Sequence, residues 1–221
     1  MNTYQISRPR KESRKIMKLT TAYLQQQFSN LNGVFHALVS DLTDEEWMTR
    51  SAPGQNMIGF TVWRMPRMQD HFLQTWIRGQ AEVAHSDRWS DWEHLKPLGI
   101  GPGLIIAETD QIACTTRLGD VLMYADEVHQ TVLTWLAEVD EDVLDQIPPA
   151  QQRLAAFPEY QTRDYVEAVR SFYGLPVRGL LLQACLGQIY RHLDQLEISK
   201  DSLRDAQFAV SAEQLKDRTM R

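Results

Sequence analysis

Cys185, Gln188 and His192 stand at helical steps of three and four, so a single helix face would carry a thiol, an amide and an imidazole. A cysteine and a histidine form a nucleophilic pair when the imidazole can take the thiol proton. Here seven residues at ~1.5 Å rise hold Cys185 and His192 about 10 Å apart, beyond hydrogen-bond reach. Cys185 is therefore read as a small buried hydrophobe.

The histidines raise a second chemistry. His71, His129 and His192 lie on separate helical stretches and are the residues from which a metal site could be assembled. Isolated histidines on helix faces are more often hydrogen-bonded core or boundary residues, and that is the expectation adopted. His85 and His94, with Asp87 and Asp91, form a weaker surface candidate. Gly99-Ile100-Gly101-Pro102-Gly103 lacks the Lys and Ser/Thr that complete a phosphate loop and reads as a turn-rich linker. No GxSxG or CxxC occurs, and His71-Phe72-Leu73-Gln74-Thr75 is not a zinc-binding HExxH.

Four helices must position these groups. The first runs from about Met17 to Leu42, with Leu24, Phe28, Leu31, Phe35 and Leu38 on one face; Asn32-Gly33 interrupts the pattern without ending it. Thr43 and Glu46 form a capping-box pair before Trp47. The second helix spans roughly Met57 to Arg78, striped by Met57, Thr61, Met65, Met68, Phe72 and Trp76. Pro66 inside it predicts a kink or break near Met65. The third runs from about Arg117 to Val139 and the fourth from Pro176 to about Ile198. Residues 80–116 are too long for a tight hairpin and predict structure of their own, with helices two and three not antiparallel neighbours. Thr162 is positioned to cap a short helix holding Tyr165, Val166 and Val169. No alternating strand pattern appears, so the expected fold is all-α, a four-helix bundle with a long connection between helices two and three. Residues 1–16 are expected to be a basic arm, 17–199 the bundle, and 200–221 a C-terminal tail.

With 43% hydrophobic residues the chain can supply a core. No stretch approaches the roughly 18 apolar residues of a membrane span, and the N-terminal residues lack the apolar region of a signal peptide. The cytoplasm is the expected compartment, with Cys114 and Cys185 as reduced thiols. The net charge is −6, which disfavours nucleic acid as a partner of the whole surface. The arm differs: Arg8, Arg10, Lys11, Arg14, Lys15 and Lys18 face only Glu12. It could hold nucleic acid or an anionic surface, although blocks of like charge are more often solvated tails.

Two segments carry a family resemblance: GQNMIGFTVWRMPRMQDHFL (54–73) and RGLLLQACLGQIYRHL (178–193). With the LTDEEW turn, the glycine-rich linker at 99–103 and TRLGDVLMYADEV leading the third helix, they resemble the DinB-like family over about Met17 to Ile198. That family includes bacterial thiol-dependent S-transferases and maleylpyruvate isomerases. The resemblance implies a divalent metal held by three histidines, one following a Trp on the second helix and two spaced by four on the fourth. At the corresponding positions this chain has Arg64, Leu181 and Cys185. Arginine stays protonated and has no lone pair to donate. The expectation is thus a metal-free member without cofactor. It would bind a small molecule, for which Arg64 suggests an anion, or a partner protein at Arg64, Leu181 and Cys185, with Trp63, Met68 and Gln188 as neighbouring pocket candidates. The alternative is a metal- and thiol-dependent transferase or isomerase using a displaced site at His71, His129 and His192. Related bundles often pair through helix faces, so a homodimer is also an expectation.

Overall fold

The computed structural model describes residues 10–50 and 52–219, with side chains described for 21–50, 52–206 and 208. The side chains of the basic arm therefore all lie outside the described residues, and the expectation of an anion-binding arm falls there.

Helix α1 (Arg10–Val39) passes through Asn32-Gly33 unbroken. Leu24, Phe28, Leu31 and Phe35 of its stripe are buried. The turn α2 (Asp44–Trp47) carries the expected capping box: Thr43 accepts from the Glu46 amide and Glu46 accepts from the Thr43 amide. Trp47 is then buried, and its indole Nε1 donates to the Ala113 carbonyl at 2.9 Å.

Helix α3 (Ile58–Asp70) widens without a break into a π-helical segment, His71–Arg78. Of the kink or break expected near Met65, the break does not occur, since the α-helix continues through Pro66. Pro66 is buried beside Phe28, Leu31 and Phe35 of α1, and this packing offsets the missing backbone hydrogen bond. The π segment ends on Gly79 in the left-handed region (φ 66°). Arg153 donates to the Trp76 and Ile77 carbonyls there, which would otherwise be orphaned.

The connection that follows has structure of its own, as its length predicts. Short 3₁₀ segments cover Val83–His85 and Asp87–Leu98, and α4 (Ile106–Thr115) follows the glycine-rich turn. Helix α5 (Leu118–Glu138) matches the third expected helix. Four short helices then lead back: α6 (Glu141–Leu144), α7 (Ala150–Leu154), α8 (Arg163–Val169, capped by Thr162) and α9 (Val177–Leu180). A second π-helical segment, Leu181–Gly187, joins α9 to α10 (Gln188–Thr219).

Cross-helix contacts fix the topology. Gln25 reaches the Leu133 carbonyl and Asn32 reaches Asp126, so α1 and α5 are antiparallel. Gln69 reaches the Cys185 carbonyl while Arg64 shares a cavity with His192, so α3 and α10 are antiparallel. Lys200 donates to the Leu38 carbonyl and Asp41, and Ile189 lies beside Leu31, so α1 and α10 run parallel. It follows that α3 and α5 are parallel neighbours, which a short loop could not join. Among the described residues there is no strand, and no helix is long and apolar enough to cross a membrane. The fold is an all-α bundle of four long helices with a structured crossover. The expected C-terminal tail begins as a continuation of α10, held by Lys200 and by Arg204 on Asp41 and Glu46.

Candidate functional site

One cavity of about 410 Å³ opens between α3 and α10. Phe60, Thr61 and Arg64 line it from α3, His192, Gln195 and Leu196 from α10, and Gln55 and Asn56 from the loop before α3. Among the described residues no aspartate or glutamate lines it. Arg64 is half-buried, its Nε has no hydrogen-bond partner, and among the described residues no side chain pairs with its guanidinium. Burial lowers its pKa, yet a guanidinium remains charged at neutral pH. Its stem is fixed by the glycine-rich turn: Gly101 (φ 100°) packs so closely that a Cβ there would lie 2.8 Å from Phe60 and 3.5 Å from Arg64 Nε. Only glycine combines that backbone angle with that approach.

His192 is the second ionisable group in the cavity. Burial, then the charge of Arg64, hold it below its ordinary pKa, opposed by a hydrogen bond to the Gln195 side chain. Near pH 7 it is a neutral imidazole next to an unpaired cation. Pairing Arg64 with His192 needs the register of two antiparallel helices, which one strand of sequence does not reveal.

The other candidates lie elsewhere. Leu181 and Cys185 are buried in the second π segment and do not line the cavity. Burial pushes the Cys185 thiol well up, so it stays protonated and unreactive. Trp63 and Met68 are buried core residues, and Gln188 is half-buried; none lines the cavity with Arg64. His129 lies beside Phe28 and Gln69 in a narrow crevice.

His71 is a core histidine in a wholly buried polar network that the sequence reading did not find. Trp76 Nε1 donates to Tyr165 Oη (2.9 Å), and that hydroxyl faces His71 Nε2 (2.6 Å). His71 Nδ1 faces Glu82 Oε1 at 2.8 Å. Glu82 also accepts from Thr75, Tyr160 and Arg67. Four partners hold its carboxylate ionised, far below the ordinary value; Arg67 makes the largest opposing contribution to burial. The partners assign His71 as neutral, donating from Nδ1 and accepting at Nε2. Asp70 accepts from the Val83 and Ala84 amides and from Tyr124 (2.6 Å). The network thus clamps the start of the crossover onto α3. It is sealed from the cavity and reads as scaffold. The helix itself gives little signal for it: α3 and its π extension are buried on nearly every side although they carry Arg67, Asp70 and His71, and only the fold shows that these polar groups are buried together.

Residues 27–169, more than half the chain, match the family model of the DinB superfamily, and this chain belongs to that superfamily. No curated protein and no solved structure matches it. The match includes Arg64 and ends before Leu181 and Cys185. At the three positions that the family resemblance assigns to metal ligands, the residues present offer one ligand atom, the buried protonated Sγ of Cys185, and a cation in place of an imidazole. They do not fit a metal ion. Nor do His71, His129 and His192 come together, and among the described residues no three His, Cys, Asp or Glu side chains are grouped to hold one.

Proposed function

We propose that this DinB-superfamily bundle binds a small anionic molecule in the cavity beside Arg64, without a metal ion. The observation that carries the reading is the half-buried guanidinium with no counter-charge, lining a space that contains no carboxylate among the described residues. A buried charge without a partner costs several kcal/mol. An internal ion pair would remove that cost, and a ligand carboxylate, phosphonate or sulfonate removes it too, through charge-assisted hydrogen bonds to the guanidinium fork. The cavity size suits a small molecule, and Phe60 and Leu196 supply an apolar wall for its organic part. The reading places the protein in the cytoplasm, where Cys114 and Cys185 would remain the free thiols they are in the fold.

Calorimetric titration with benzoate, benzenesulfonate and phenylphosphonate tests it. At least one binds the wild type, and Arg64→Ala weakens that binding about tenfold or more. Binding unchanged in Arg64→Ala, or no binding to the wild type, overturns the reading. Elemental analysis of protein purified without chelators checks the metal-free part, where a stoichiometric ion would be the contrary result. The alternative, a thiol-dependent transferase with a displaced metal, loses its support because His71, His129 and His192 lie in separate surroundings.

A further inference from the structure

Arg64 is not the only group at its end of the cavity that can carry positive charge. His192 lines the same space. The charged groups that face it are Arg64 from α3 and Arg191 from its own helix, both cations, and among the described residues no acid lines the cavity. Held neutral, the imidazole keeps a lone pair on one ring nitrogen. An anionic oxygen set against that lone pair is repelled. A proton on the nitrogen turns the contact into a charge-assisted hydrogen bond.

The head group follows from counting oxygens and charges. The guanidinium fork takes two oxygens of an anion side by side. A carboxylate then has none left, whereas a tetrahedral head group presents a third toward His192. A monoanion is already balanced by Arg64, so it has little pull on a further proton. A dianion carries one more negative charge, and His192 is the group placed to match it.

We propose, resting on the anion-binding reading above, that the ligand is an organic molecule with a phosphoryl-type dianionic head group, held by Arg64 and by a His192 that takes up a proton as it binds. Phe60, Ile58 and Leu196 take the organic part.

Phenylphosphonate and benzenesulfonate provide the test, because they share a ring and a three-oxygen tetrahedral head but only the phosphonate becomes a dianion. At pH 8 the wild type binds phenylphosphonate about tenfold more tightly than benzenesulfonate. Calorimetry in two buffers of different ionisation heat shows proton uptake with the phosphonate. His192→Gln keeps the bulk but cannot protonate, and it brings the two affinities together. Equal wild-type affinities, absence of proton uptake, or a preference that survives in His192→Gln would overturn the proposal. The two wild-type measurements decide it even if the variant does not fold. These failures are separable from failure of the underlying reading: if Arg64→Ala still weakens both ligands, anion binding at Arg64 stands and only the dianion assignment falls.

Discussion

Arg64 and His192 face one cavity from antiparallel helices, and among the described residues no carboxylate lines the space they share. The chain carries a net charge of −6, so acids are plentiful, and their exclusion from this cavity is a matter of arrangement. One turn further along α3 the contrast is complete. Arg67 is fully buried and bonded to Glu82, Tyr124 and Asp70. Of two arginines three residues apart, one is built into the scaffold and the other is left available.

That availability has a cost in the empty protein. Replacing Arg64 by methionine removes a poorly solvated charge and keeps most of the side-chain volume. We expect Arg64→Met to stabilise the unliganded protein by about 1 kcal/mol, read as a higher urea midpoint with an unchanged slope. A loss of stability would instead mean that the guanidinium has a structural partner. The same substitution abolishes the ligand-induced rise in melting temperature.

The buried network behaves in the opposite way. Glu82→Ala takes from His71 its Nδ1 acceptor and from Arg67 its closest carboxylate, leaving that cation only the longer carboxylate contact to Asp70, and the expected loss is about 3–5 kcal/mol. Circular dichroism during urea denaturation measures it. The double variant Arg67→Met/Glu82→Leu removes both charges and recovers much of the loss, because a balanced apolar pair avoids the uncompensated ion. If the double variant is no better than the single one, the cost lies in the lost clamp on the crossover and not in the unpaired charge.

Much of the fold was legible in local pattern. The stripes Leu24–Phe35 and Met65–Trp76, the Thr43/Glu46 box and the Thr162 cap each follow from spacing within one helix, and the structure has them. The need for a crossover followed from the length of residues 80–116. Pro66 does not break its helix because its effect depends on what packs against it: α1 supplies that packing, and α1 is distant in sequence. The site was half legible. Arg64 stands out by its type, whereas spacing in the sequence relates His192 to Cys185 and to the other histidines, and not to Arg64. Its true neighbour is set by the register of α3 against α10, and Glu82 by the path of the crossover; neither leaves a periodic trace in the sequence.

Stability should fall as pH drops from 7 toward 5. The folds around His71, His85, His129 and His192 all lower the imidazole pKa, with burial the leading cause in each. Below the ordinary value of 6.5 the unfolded chain binds protons that the native state refuses, so stability is lost through that window. Asp70 works against this trend. Burial, then the Glu82 charge, push its carboxyl from 3.8 to about 6. Between those values the native state holds a proton that the unfolded chain lacks, and falling pH adds stability. Four histidines outweigh one aspartate, so the net change is a loss. In Asp70→Asn the compensating contribution is gone, and the decline in melting temperature between pH 7 and 5 becomes steeper. A shallower decline in that variant would contradict the assignment.

The glycine-rich turn ties the scaffold to the cavity, and Gly101 is where the two can be separated by experiment. A Cβ at Gly101 meets Phe60 at 2.8 Å and approaches Arg64 Nε at 3.5 Å, on a backbone with φ 100°. Gly174 has a comparable φ of 81° but open space around it. Alanine at Gly174 therefore incurs backbone strain alone, about 1–2 kcal/mol. Alanine at Gly101 adds overpacking against Phe60, so its total should reach about 2–5 kcal/mol. It should also displace Arg64 and weaken anion binding, whereas Gly174→Ala leaves binding unchanged. Denaturation and calorimetry on the two variants give both comparisons. Equal stability losses, or equal affinities, would mean that the turn does not set the position of Arg64.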